Sequence, residues 1–445
     1  MSDFELAINE FSGSFGVGDY ADRPVKVLNA VPGDRWRVRL IHRGRAADIA
    51  HGIELLDASS DRAEPQCAVQ AQCGACPWQM ASVESQRFHK RRMLIGQLEH
   101  LVSSNLIERV VATVESYGYR TKSHMPVGVQ QGELVAGFWA PRSRELVAVT
   151  YCAVQDIAIE RIRAAVLHSL NMAGVTAWNA QTGEGELRSI LIRTVNGRKK
   201  SVQVGLVLVV ADESSRDWQE LVGPWLETFG VTSVWINLHD EPTNAMLGDV
   251  TKHLAGAEWL EQSYGAYTLY RGATAFSQSS ESGERLLAEV VSQLVPAHCE
   301  TLLDLYAGAG LFTAVLADRM HKAVLVERVP SGMSAAQKTF ASADHVDTRV
   351  GAVEEVLPEL IGEGFMPDLV VVDPPRSGLA ASVIQALGAL TPKDVIYVSC
   401  QPRTLARDLH QLTESQFRVK RVVPVDMFPH TPHLEVVVHL ESMTR

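Results

Sequence analysis

Three rhythms of apolar and polar positions succeed one another along the 445-residue chain. Near the start, "RPVKVLNAVPGDRWRVRLIHRGRAADIAHGIELL" reads as short strands cut by "PGD" and "RGR" turns. Within it Trp36, Val38 and Leu40 alternate with Arg35, Arg37 and Arg39, which predicts a small β-barrel with a basic outer face. From Ser82 to about His100 apolar residues recur at helical spacing. The stretch from about Tyr117 to Gly265 mixes both periods. "LVAGFWAPRSRELVAVTYC" predicts a hairpin, "KSVQVGLVLVV" a buried strand, and "WQELVGPWLETFG" an amphipathic helix ending at Gly230. After Phe276 strand-like runs ("TLLDLYAGAG", "KAVLVERV", "DLVVVDPPRSG", "DVIYVSCQP") alternate with helical ones, which predicts a parallel sheet covered on both faces. "RVKRVVPVDMF" and "LEVVVHLES" predict an antiparallel hairpin at its edge. The expected class is α/β, with units at 1–62, 63–265 and 266–445.

Composition narrows this only in part. An apolar fraction of 46% and a charged fraction of 21% suit ample cores, and no apolar run is long enough to span a bilayer. "MSDFELAINEF" lacks the basic start and apolar centre of a signal peptide, so the expectation is a cytoplasmic protein without a membrane partner. A formal net charge of −11 argues weakly against nucleic acid, yet seven basic residues and one acid, Asp34, lie between Arg23 and Arg45. "RFHKRR" at Arg87–Arg92 is a second basic cluster, and either stretch is as readily a solvated face. Six cysteines are too few for a disulfide scaffold in a chain of this length. Cys67, Cys73 and Cys76 crowd together, and with the distant Cys152 they offer four thiolates, enough for [4Fe–4S] or for zinc; spacing alone does not choose. Cys299 fits no motif and reads as a packing residue.

In open parallel sheets, ligands sit beyond the carboxyl ends of the strands. "LLDLYAGAGLF" brings a close backbone approach just after Asp304, without the G-x-G-x-x-G dinucleotide spacing. Glu327 ends the next strand, where a carboxylate can accept from both ribose hydroxyls. That favours S-adenosylmethionine over NAD. In "VVVDPPRSG" the prolines stiffen the loop, aiming Asp373 at the cleft with Arg376 near its rim; the plainer alternative is a capping carboxylate. Cys400 ends the following strand, and by itself is more often a buried thiol than a nucleophile.

These segments, in this order, resemble a known family. "CAVQAQCGACPWQ", "YGYRTKS", "FSQSSESGERLL", "LLDLYAGAGLF", "DLVVVDPPRSGL", "YVSCQPRTLARDL" and "PVDMFPHTPHLEVVVHLE" are similar to the iron–sulfur-containing RNA 5-methyluridine methyltransferases, close to the bacterial 23S rRNA uracil-C5 enzymes. The resemblance implies a Rossmann-like S-adenosylmethionine-dependent domain, a TRAM- or OB-like RNA-binding barrel and a central α+β iron–sulfur domain. It makes Cys400 the nucleophile and Glu435 the base, and places Gln278, Tyr306, Glu327 and Asp373 at the methyl donor. Cys67, Cys73, Cys76 and Cys152 become ligands of a [4Fe–4S] cluster. It further implies a monomer acting on 23S rRNA, since tRNA members of the family usually lack both barrel and cluster. Three positions depart from the pattern: Ala307 replaces a frequent cysteine, Ser280 a frequent asparagine, and "RVGAVEEV" lacks the acid usual after the third strand. The alternatives are a tRNA uracil-C5 methyltransferase, an enzyme methylating base amino groups, since a "DPP" loop also serves these, and a non-catalytic RNA-binding protein.

Overall fold

A computed structural model describes residues 3–197, 202–243, 245–272 and 274–443. The N-terminal part is a curled six-stranded sheet of OB/TRAM-like form. Its strand order is Phe4–Ala7, Arg35–His42, Asp48–Asp57, Arg23–Leu28, Phe15–Tyr20, Glu10–Ser12. Leu6, Ile8, Val25, Val27 and Val38 fill its interior. Arg35, Arg37 and Arg39 do point outward, as their alternation predicts. The face they form is not basic, however: Arg35 pairs with Glu5 and Asp57, Arg37 with Glu54, and Arg39 with Asp3. Asp57 and Glu54 stand opposite Arg35 and Arg37 on the neighbouring strand, so the charges cancel within the sheet.

After the cysteine-rich segment runs the helix Val83–Leu98, capped by the Ser82 hydroxyl accepting from the Ser85 amide. Its "RFHKRR" cluster is also largely consumed. The Lys90 ammonium is buried on Asp426, Arg87 donates to the Thr113 carbonyl, and Arg91 donates to those of Ile107 and Glu108. Of these cations only Arg92 is exposed. A seven-stranded sheet follows, covered by the helices Ile157–Met172 and Gln219–Glu227. It contains the expected hairpin, Glu133–Trp139 with Leu146–Ala148, and the buried strand Val202–Val210. Lys200 and Ser201, at the head of that predicted run, lie outside the described residues.

The third part is an eight-stranded Rossmann-like sheet. Val346–Val350, Lys322–Glu327, Thr301–Leu305, Leu369–Val372 and Asp394–Ser399 are parallel neighbours in that order. Two apolar clusters, one around Leu303, Val370 and Tyr397 and one around Leu302, Val371 and Ile396, pack its two faces. Glu435–Ser442 then joins antiparallel to Asp394–Ser399, and Phe417–Asp426 pairs outside it. This hairpin is not the edge, as the sequence suggests. Val111–Ala112, from the central region, pairs parallel to Phe417–Asp426 and lies outermost. Among the described residues no helix is long and apolar enough to cross a membrane.

Candidate active site

The register of this sheet brings together residues far apart in sequence. Val372 pairs with Tyr397 and Ser399 with Val436, so Asp373, Cys400 and Glu435 lie side by side where neighbouring strands meet the cleft. All three line a cavity of about 1310 Å³, larger than the roughly 300–1,000 Å³ of an ordinary small-molecule pocket. That leaves room for more than one small ligand. Cys400 is held at the mouth of the next helix: Pro402 opens Pro402–Ser415, and the Gln401 amide donates to the Ser399 hydroxyl at 3.1 Å. The loop after Cys400 is therefore fixed by its neighbours on both sides.

The electrostatics disfavour charge. Burial pushes the Glu435 carboxyl up to about 7, against the pull of Arg376. Asp373 is raised well above the usual carboxylate range by burial, then by Glu435 and Asp304. Burial and the same two carboxylates, Glu435 and Asp373, raise the Cys400 thiol. A thiol and two acids thus crowd one part of the cavity wall, with Arg376 as the opposing cation. Glu435 is thus poised to exchange a proton near neutral pH rather than to hold a fixed charge.

A second wall of the cavity is built on the neighbouring strand ends. Asp304 accepts from the Thr313 amide and hydroxyl at 3.2 and 2.7 Å, while its other oxygen is buried without a partner. Burial drives it up to about 7. Tyr306 and Gly310 both take positive φ, 61° and 83°; a Cβ at Gly310 would meet the Phe340 ring at 2.5 Å. The turn can close only with glycine there. Glu327 accepts from the Gly308 and Val329 amides at 2.9 and 2.6 Å, which fixes its carboxylate at the cavity wall beside Tyr306 and Gln278. Ser280 does not face this cavity. It is buried, and its hydroxyl caps the helix Glu281–Leu294 by accepting from the Gly283 amide. The replacement of asparagine there falls on a helix cap rather than on the wall. The strand that lacks its terminal acid has Glu354 four residues beyond its end at Val350, and Glu354 lines the cavity.

The four clustered cysteines also converge. Cys67, Cys73, Cys76 and Cys152 line one small cavity against Val149 and Phe138. Burial and the neighbouring sulfurs push Cys76 up to about 12; burial pushes Cys152 up to about 11. Buried this way, the thiols stay protonated at neutral pH in the absence of a cation. Among the described residues no three of these sulfurs lie within 4.8 Å of one another. A single tetrahedral zinc holds its sulfurs about 3.8 Å apart, from a Zn–S distance of about 2.3 Å. The four thiols nonetheless share one cavity and offer the soft donor set that a zinc ion or an iron–sulfur cluster takes. Gly74 and Ala75, between Cys73 and Cys76, also line the large cavity, a contact with no signal in the sequence.

A second group of ligating side chains lies elsewhere. His298 and His439 contact the two oxygens of Asp394 at 3.1 and 2.7 Å, and Cys299 lies 3.8 Å from that carboxylate. Asp394 begins the strand that ends beside Cys400, so this knot is at the opposite end of the sheet from the cleft. Cys299 is therefore more than packing, but its carboxylate partner is already satisfied by protein donors.

The family described as tRNA (Uracil-5-)-methyltransferase matches residues 265–443. An RNA methyltransferase of Nostoc sp. is 34% identical over 98% of this chain and 95% of its own. One of Clostridium acetobutylicum is 31% identical over 100% of this chain and 98% of its own. Among solved structures, the Pyrococcus abyssi tRNA (uracil-54, C5)-methyltransferase in complex with S-adenosyl-L-homocysteine superposes with a TM-score of 0.79. It is 22% identical, and the match covers 98% of this chain and 100% of that one. The whole architecture, N-terminal sheet included, is therefore shared with a protein described as a tRNA enzyme. The expectation that tRNA members lack the barrel does not hold for it.

Proposed function

The chain belongs to the S-adenosylmethionine-dependent RNA uracil-C5 methyltransferases, and from that premise we propose that it methylates uridine through a covalent bond between Cys400 and C6 of the base. The observation that carries this is the pairing of Ser399 with Val436, which sets the thiol of Cys400 beside the carboxyl of Glu435 at the cavity. Uracil C5 is a weak nucleophile. Addition of the Cys400 thiolate to C6 moves the ring electrons into an enolate, whose C5 attacks the donor methyl and breaks its bond to sulfur. Glu435 then takes the proton from C5, the C6–S bond breaks, and the ring double bond returns with the thiolate released. Gln278, Tyr306, Glu327 and Asp373 hold the donor, which supplies an activated methyl group. A base-amino-group methyltransferase has no use for this Cys–Glu pair. Reaching the thiol requires the uridine to leave its stack.

Cys67, Cys73, Cys76 and Cys152 are our ligands for a [4Fe–4S] cluster; it ties the segment before the helix Val83–Leu98 to the hairpin before Cys152. For the RNA, tRNA is our reading in preference to 23S rRNA: the matching family is named for tRNA enzymes, and the archaeal tRNA enzyme spans the same architecture. Three measurements test these statements. RNA containing 5-fluorouridine should form a denaturant-stable adduct that Cys400→Ser cannot form; methylation without any adduct would defeat the mechanism. Mass mapping of 5-methyluridine in tRNA and rRNA from a deletion strain should show the loss in tRNA, and a loss confined to 23S rRNA would reverse the choice. An anaerobic preparation should be brown with about four irons per chain, where stoichiometric zinc would overturn the cluster.

A further inference from the structure

The base Glu435 follows directly on the hairpin turn 427–434, and most of the polar anchors of that turn come from outside the catalytic region. Lys90, fully buried, donates to Asp426 at 2.6 Å and to the Phe428 carbonyl at 3.0 Å. The Tyr119 hydroxyl donates to the Pro429 carbonyl at 3.0 Å. His430 is clasped at three points. Its carbonyl accepts from the Trp78 amide at 3.0 Å, its amide donates to the Gln86 Oε1 at 2.6 Å, and its Nδ1 lies 3.1 Å from the Gln86 Nε2. Gln86 is also fixed, since Nε2 reaches the carbonyls of Trp78 and Ala81. His430 has φ of 68°, a left-handed conformation that a side-chain-bearing residue keeps only when its surroundings impose it.

We infer that Gln86 and Lys90, on the helix Val83–Leu98, are positioning residues that set the place of Glu435 by holding the turn before it. The inference rests on Glu435 being the base of the proposed reaction. A satisfied hairpin alone would need only its backbone partners met. Here a buried cation and carboxylate are spent on the turn, and the second oxygen of Asp426 is left without a partner. Burying an ion pair adds little stability over apolar residues of like size, so its use lies in specifying one geometry. Elimination is the step most exposed to this geometry. Addition by Cys400 and methyl transfer to C5 precede it and do not need Glu435. If the carboxyl is displaced, C5 keeps its proton, the C6–S bond cannot break, and the methylated enzyme–RNA adduct persists.

The test uses the full chain and RNA with ordinary uridine at the target. Glu435→Gln should accumulate the denaturant-stable, methylated adduct. Lys90→Met and Gln86→Met should do the same, with kcat and KM for RNA falling together by roughly 10²-fold and kcat/KM little changed, because only a step after adduct formation is slowed. Tyr119→Phe should lower kcat about threefold by the same route, and serves if the buried variants fold poorly. Lys90→Met combined with Asp426→Asn removes the lone buried charge while leaving an acceptor for the Phe428 amide. It should recover thermal stability but not turnover. Turnover recovering together with stability, or Lys90→Met losing adduct formation and kcat alike, would overturn the positioning role. Failure of Glu435→Gln to trap an adduct would instead overturn the assignment of the base, separately from this inference.

Discussion

The same strand, Asp394–Ser399, has a cysteine–carboxylate group at each end, and the two groups behave differently. At its start Asp394 is buried, met on both oxygens by His298 and His439, with Cys299 beside it. Just past its end, Cys400 lies beside Glu435 and Asp373 at the wall of an open cavity, with Arg376 as the opposing cation. Residue types alone make the first group the better metal or nucleophile candidate, since it contains imidazoles. The lesson is that satisfaction, not composition, separates a structural knot from a reactive site. A carboxylate with its partners filled fixes a fold, while a carboxyl raised toward neutrality and open to a cavity, as Glu435 is, can exchange a proton.

The contrast can be pressed from the strongest case to the weakest. Cys400→Ser should abolish methyl transfer, by at least about 10³-fold in kcat, with loss of the 5-fluorouridine adduct; a residual rate near wild type would erase the distinction. Glu435→Gln should lower kcat by roughly 10²–10⁴-fold and change the pH profile. The base acts ionised, so wild-type activity should fall as pH drops through about 7, and the variant should lose that limb. Its stability should shift the other way. A carboxyl raised on folding favours the native state below its unfolded pKa and loses that as pH rises toward 7. Glu435→Gln should therefore melt higher than wild type at pH 8, by up to roughly 3 kcal/mol, and show no gain at pH 4.

At the other end of the strand the signs reverse. Asp394→Asn should cost about 1–3 kcal/mol in chemical denaturation because two imidazoles lose a charged acceptor, with kcat within about twofold. Cys299→Ala should be milder still, about 1 kcal/mol of lost packing and no effect on adduct formation. Loss of turnover in either variant, at a temperature where both are folded, would make the knot part of the reaction.

Much of the catalytic half was legible in sequence because its elements are local. Consecutive parallel strands place consecutive strand ends together, so Asp373 and Cys400 could be paired from "VVVDPPRSG" and "YVSCQP" alone. Glu435 was harder, since it reaches Cys400 only by the antiparallel return of Glu435–Ser442. Periodicity also found the strands of the curled N-terminal sheet, but not the acids that cancel Arg35, Arg37 and Arg39, because those partners lie elsewhere in the chain. Lys90 is the extreme case. It reads as one cation in a basic run, yet its partner Asp426 is 336 residues away, and only the fold takes it out of solvent.

The outermost strand, Val111–Ala112, has a bearing on autonomy. Together with the bridge from Ile107 to Val422 and the ion pair of Glu108 with Arg421, it seals a border that the C-terminal half cannot close unaided. A fragment cut to the family-matched residues 265–443 would leave the main-chain donors and acceptors of Phe417–Asp426 free along one side. Such an open border recruits strands from other copies. Residues before the family-matched segment thus cover part of its outer strand, and a fragment without them should associate more readily than the full chain.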